Sequence, residues 1–320
     1  MRLKLVTQET SFDFFSKIRL WVGLSVILLV LSLGSVLTQG LNFGIDFLGG
    51  TTIRTQSTQV VDVGAYRDTL SSLDLGDVSI SEVFDPNFDE DQNVAMIRIQ
   101  QQIGDDISIN AVTNETLAAL QTFDPDLIFV SVESVGPKVS GELVQTAIIA
   151  IVLAIAAVLV YIWLRFEWQF AQGAVTALIH DVLLTIGIFS VVQIKFDLAI
   201  IAALLTIVGY SLNDTVVVFD RVRENLRKYK KRPLKEVLNL SINETLSRTV
   251  VTSFTTLLAL ISLFVLGGDV IRGFVFAMIW GVIVGTFSSI FIAAATLLRL
   301  GVKRDWSKPN AEAGTRVPQE

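Results

Sequence analysis

The sequence predicts a polytopic α-helical membrane protein with six transmembrane helices and one exported α+β domain of ferredoxin-like βαββαβ order. Three observations carry this. Six apolar stretches reach spanning length in a chain of 320 residues that is 52% hydrophobic; a span takes ~20 residues, with a range of about 17–25. Lys and Arg gather in segments that fall on one side of a six-span chain. Between the first and second apolar stretches lies a segment of roughly 100 residues, enough for one core of its own.

Taken in order, residues 1–19 are a cytoplasmic N-terminal segment carrying Arg2, Lys4, Lys17 and Arg19. Residues 20–37 are the first span. Their apolar run exceeds the ~7–15-residue core of a signal peptide and no small-x-small cleavage site follows, so an uncleaved anchor is expected. Residues 38–142 form the exported domain. Within it 51–55, 78–84, 94–100 and 127–135 read as strands, and 60–73 and 109–123 fit helices. That order is βαββαβ. From 41 to 141 the segment holds four basic residues, Arg54, Arg67, Arg98 and Lys138, against sixteen Asp and Glu. This acidity keeps a domain soluble; contact with unfolded substrate segments is the other reading.

The remaining spans are 143–164, 171–192, 198–219, 248–266 and 271–298, of which 248–266 is the shortest. Residues 220–247 form a basic, helical cytoplasmic loop with Arg221, Arg223, Arg227, Lys228, Lys230, Lys231, Arg232 and Lys235. Positive-inside orientation and contact with anionic lipids explain this loop without nucleic acid. Residues 299–320 are a cytoplasmic tail, expected to be disordered because Pro309, Gly314 and Pro318 stand among few apolar side chains. Both termini are therefore expected in the cytoplasm.

Composition excludes several chemistries. The chain has no Cys and a single His, His180, so thiolate catalysis, disulfides and Cys- or His-built metal centres are not expected, nor is any cofactor. No Walker loop, GxSxG elbow or HExxH is present. The expectation is a protein that is not an enzyme.

The fourth span holds the densest polar signal, LAIIAALLTIVGYSLNDTVVVFDRVREN at 198–225. An ionised Asp at the centre of a spanning helix costs about 2.5–3.5 kcal/mol, so one that is kept there is by default in use for ions or protons. Thr206, Tyr210 and Asp214 recur at i, i+4 and i+8 and share a face, with Asn213 beside them. On the fifth span Arg248, Thr252 and Thr256 share a face. The two spans run antiparallel across a short connection, so an Asp214–Arg248 contact is expected. Two readings fit: a switch in which protonation of Asp214 releases Arg248, or polar glue between helices. His180 and Asp181 on the third span, with Thr185 one turn on, are a second costly site, either a proton relay or a structural pair. Gly281 and Gly285 on the sixth have small-xxx-small spacing, which close helix packing explains.

Four stretches, FGIDFLGG at 43–50, VGPKVSGEL at 135–143, VGYSLNDTVVVFDRVREN at 208–225 and SRTVVTSFTTL at 247–257, together resemble the SecF branch of the bacterial SecD/SecF protein-export family, within the RND superfamily. The match covers nearly the whole chain. The resemblance implies a subunit that pairs with SecD to complete twelve spans in the bacterial inner membrane. It implies work with SecYEG, often with YajC, in drawing unfolded preproteins outward by the proton-motive force. It places the family's membrane carboxylate on Asp214 and its functional Arg on Arg248. Asp46, Gly49 and Gly50 match the motif after the first span, where the glycines permit the turn from membrane into the first strand. An RND-type small-molecule or lipid exporter is the alternative, and the six spans and single modest domain count against a complete pump of that kind. A scaffold without coupling chemistry is a further one.

Overall fold

A computed structural model describes residues 10–73, 75, 78–84, 92–100 and 109–302. Most of the expected tail, and basic residues Arg2, Lys4, Lys303, Arg304 and Lys308, lie outside the described residues.

The inserted domain is one four-stranded antiparallel sheet, β1 (Gly50–Ser57), β2 (Val78–Val83), β3 (Asn93–Gln100) and β4 (Ile128–Val135), in the order β2-β3-β1-β4. That order and the two helices between the strands, α3 (Val63–Ser71) and α4 (Ile109–Phe123), make the ferredoxin-like pattern. Period-two alternation sends Ile53, Ile80, Ile97 and Ile99 to one face, where they pack with Tyr66, Leu70, Leu120 and Leu127. Leu120 is fully buried. Leu120→Ala should therefore cost about 2–5 kcal/mol, read as a lower melting temperature and faster proteolysis of this domain in the intact chain. The end of β1 is tied to the end of α4 by the Ser57 hydroxyl donating to Asp124.

Six helices have spanning length and composition: α1 (Ile18–Thr38), α5 (Pro137–Arg165), α6 (Trp168–Val192), α7 (Leu198–Lys228), α8 (Leu234–Leu266), and a sixth built from α9 (Gly268–Ser288), a π turn at Ser289–Ala293 and α10 (Ala294–Leu300). A short helix α2 (Ile45–Leu48), not expected from the sequence, links α1 to β1. Local chemistry sets the boundaries. Pro137 opens α5 at a position that needs no N–H. Asp197 caps α7 by accepting from the Ile200 amide at 3.2 Å. Gly49 and Gly50, at φ 77° and 136°, take backbone conformations that side chains resist and turn the chain into β1.

The spanning windows of α6, α7 and the sixth helix are 56%, 50% and 61% buried, those of α1, α5 and α8 11% each. The inner three therefore form the core of the bundle, and the outer three present apolar faces.

The fourth and fifth helices are longer than their apolar runs. α7 continues to Lys228 and α8 begins at Leu234, so within the basic segment 220–247 the connection between the two helices is 229–233. The extension is an amphipathic pair: Val222 and Leu226 pack against Val237, Leu238 and Ile242 in one cluster. Arg221 bridges Glu244 at 2.7 Å and Glu224 at 2.6 Å on the outer side. The charged outer faces hide the helix from an average of hydropathy. The N-terminal segment lies across this extension. Asn243 accepts from the Phe12 amide and donates to its carbonyl, both at 2.8 Å, and Asn239 accepts from the Phe14 amide at 2.9 Å.

Candidate functional site

Among the described residues two carboxylates are buried in the bundle, and their surroundings are opposite. Asp181 on α6 is wholly buried and saturated with donors. Its Oδ2 accepts from Ser211 on α7 at 2.6 Å and from Ser288 at the end of α9 at 2.7 Å. Its Oδ1 lies 2.9 Å from His180 Nδ1. His180 Nε2 lies 2.5 Å from Ser25 Oγ on α1. With Nδ1 donating to the carboxylate, Nε2 is left to accept the Ser25 hydroxyl. Thr185 bonds its own helix, donating to the Asp181 carbonyl at 2.7 Å. One carboxylate thus ties α1, α6, α7 and α9 together, and the π turn begins beside Ser288. The sequence points to Asp181 and His180 but not to Ser25 and Ser288, nor to Ser211 as a partner of Asp181. Single serines in apolar runs carry no pattern until their neighbours are known.

Asp214 on α7 is 3% exposed, and its Oδ2 is buried with no hydrogen-bond partner among the described residues. The buried stripe of α7 here is Ser211, Asp214, Thr215 and Val218. Tyr210 is half-buried at its edge and donates to Thr256 on α8 at 3.5 Å, a long contact. Asn213 and Thr206 are exposed. The face expected from i, i+4, i+8 spacing exists, but it runs along the seam between buried and exposed sides.

The expected Asp214–Arg248 contact is not made. Among the described residues no ion pair joins the two within 4.0 Å. The reason is the rotation of α8. Its buried stripe is Ser241, Thr245, Thr249 and Ser253, one residue away from Arg248, Thr252 and Thr256. Arg248 is exposed, and Thr252 and Thr256 are half-buried. Thr252 spends its hydroxyl on the Arg248 and Thr249 carbonyls at 3.0 and 2.9 Å. The Thr249 hydroxyl, on the buried stripe of α8, is also without a hydrogen-bond partner among the described residues.

The glycines of the sixth span set how close α7 and α9 come. A Cβ on Gly281 would run into the Ile207 side chain, and one on Gly285 would sit 3.1 Å from Ser211 Cβ. The small face therefore brings Ser211 within reach of Asp181. Gly281→Leu should separate the helices and sharply lower the amount of folded, detergent-stable protein. Ile207→Ala in the same chain should restore part of it; a variant as stable as wild type would contradict this packing.

Asp46 lies far from Asp214, at the other end of α7. Its Oδ2 accepts from the Leu198 amide at 3.0 Å. Gly49 and Gly50 follow it into β1.

The description "Protein export membrane protein SecD/SecF, C-terminal" matches residues 115–303, and "SecD/SecF GG Motif" matches 34–59. The chain is 60% identical over 315 residues to a protein translocase subunit SecF of Cereibacter sphaeroides, covering 98% of this chain and 97% of that protein. It is 38% identical to the SecF of Vibrio alginolyticus, with 96% and 95% coverage. The crystal structure of SecDF, a translocon-associated membrane protein of Thermus thermophilus, superposes with a TM-score of 0.80 at 33% identity over 92% of this chain. SecDF in a super-membrane-facing form superposes at 0.68 and 34% identity over 91%. The chain spans 39% of the length of either SecDF chain.

Proposed function

The chain belongs to the SecD/SecF protein-export family as one of its SecF translocase subunits, and from that premise we propose that it couples proton movement through the membrane to outward movement of unfolded preproteins. In this reading it resides in the bacterial inner membrane with both termini in the cytoplasm and the sheet domain outside. It pairs with SecD to complete twelve spans, works beside SecYEG with YajC, and meets anionic lipids at the basic α7–α8 extension. It performs no covalent chemistry.

One observation carries the reading: Asp214 is a buried carboxylate with a partnerless oxygen on a spanning helix. A carboxylate kept there unpaired is unfavourable unless it changes protonation state, because burial penalises the charged form. Asp181 makes the contrast. Its oxygens are occupied by Ser211, Ser288 and His180, which is the environment of a structural anion. Arg248, on the neighbouring helix and exposed, supplies a compensating charge while Asp214 is ionised. Proton arrival removes the need for that compensation and changes the packing of α7 on α8. Tyr210, Thr252, Thr256 and Asn213 lie on the neighbouring turns of α7 and α8, with Tyr210 reaching Thr256 across the seam.

The test is gradient-dependent export in vesicles holding the chain, its SecD partner and the channel, with Asp214 intact or replaced by Asn.

A further inference from the structure

The residues after α1 grip the start of the helix that carries Asp214. The Gly44 amide donates to the Phe196 carbonyl at 2.9 Å, and the Phe196 amide donates to the Asn42 carbonyl at 2.8 Å. Phe43 meets Phe47 and Phe196 edge-on, and Phe47 and Phe196 are tilted against each other, with centroids 5.7–6.1 Å apart. The first amides of any α-helix lack partners within the helix. In α7 the Ile200 amide is satisfied by Asp197, and the Leu198 amide by Asp46 from outside the helix. Asp46 sits in α2, and Gly50 begins β1, so the tether from α7 to the sheet is a few residues long.

Beside this tether is a cleft of about 490 Å³ between the sheet and the ends of the membrane helices. Arg54, Arg98 and Glu133 line it from the sheet; Asp46, Asp197 and Arg272 line it from the membrane side. Among the described residues the Arg98 Nε and Nη1 and the Arg54 Nε are buried without hydrogen-bond partners. Burial pulls the Arg98 guanidinium below its ordinary value and pushes the Asp197 carboxyl up. Charges of both signs thus line the cleft between the sheet and the membrane helices.

We infer that Asp46 is a positioning residue that transmits displacement of α7 to the sheet domain, through its hydrogen bond to the Leu198 amide. Asp46 touches neither proton nor preprotein. It holds the first residue of α7 to the strand-entry turn, so an axial shift or rotation of α7 drives the sheet toward or away from the cleft. This rests on the reading of Asp214 above, since α7 is displaced only if that carboxylate changes state.

The experiment uses the complex with the SecD partner in vesicles. The chain contains no cysteine, so spin labels can be placed at Val60 on the sheet domain and Leu266 at the end of α8, exposed to 79% and 64%. Distances are compared between Asp214 and D214N, each with Asp46, D46N or D46A. Asn keeps an acceptor for the amide and Ala does not. The expected result is a shift in the distance distribution on D214N with Asp46 and with D46N, and no shift with D46A. Gradient-dependent export should fall about fivefold or more in D46A and be largely restored in D46N. If the shift persists in D46A, Asp46 is not the tie and the inference is overturned, with the Asp214 reading intact. If D214N shifts nothing even with Asp46 present, the Asp214 reading fails and the inference falls with it. Should D46A not assemble, D46E carries the test, because it keeps the charge but displaces the acceptor. An undiminished shift in D46E overturns the inference.

Discussion

Asp214→Asn is expected to remove the gradient-dependent part of export while the chain accumulates, folds and pairs with its partner as before. The replacement is nearly isosteric and takes away an anion whose Oδ2 has no partner to lose, so the melting temperature should hold or rise. Function should respond very differently. A proton crossing the full potential releases ~2.3 kcal/mol per 100 mV, which biases a two-state equilibrium by more than tenfold. A neutral amide cannot take up or release that proton. Export with an imposed gradient should drop to the rate found with the gradient collapsed, and that residual rate should be unchanged. Asp214→Asn retaining the full gradient response would assign Asp214 to helix packing.

The second large effect is the converse. Asp181→Ala should damage the fold and spare the coupling of whatever protein survives. The variant strips the acceptor from Ser211, Ser288 and His180 at once and leaves a void in a site with no exposure. Interhelical hydrogen bonds in membranes average ~0.6 kcal/mol, up to about 1.7. Losing three, with the cavity, should cost about 2–4 kcal/mol. Thermal unfolding in detergent and steady-state abundance would register it. Gradient-dependent export, normalised to folded protein, should stay within about twofold of wild type on this magnitude of structural loss. Selective loss of the gradient-dependent part, with stability intact, would put Asp181 on the proton route.

What the sequence made legible follows from where periodic patterns exist. Apolar runs and the position of Lys and Arg gave six spans, and period two in 78–84, 94–100 and 127–135 gave the strands. The βαββαβ order followed, and the sheet order β2-β3-β1-β4 agrees with it. The start of α8 at Leu234 was less legible, because Glu236, Arg221 and Glu244 sit on the outer faces of a helix pair whose inner faces are apolar. The stripe through Thr206, Tyr210 and Asp214 could be read from spacing. Whether Arg248 reaches Asp214 depended on the rotation of α8 about its axis, and Thr245 and Thr249 turned inward in its place. Rotation is set by packing against α7 and α9, where Gly281 and Gly285 decide the approach, and a single helix's pattern does not contain it. For the same reason the serines around Asp181 were invisible as a group. Asp46 was read as part of a turn motif; its bond to Leu198 joins residues remote in sequence and became visible only in three dimensions.

The central claim is that the Asp214 carboxyl gains and loses a proton within the membrane. It is tested most directly by infrared difference spectroscopy of the reconstituted complex, recorded between high and low pH, with wild type and D214N compared. The account predicts a protonated-carboxyl stretch that rises on acidification in the wild type and is missing in D214N, with the remaining carboxyl bands unchanged. Identical difference spectra from the two proteins would contradict it.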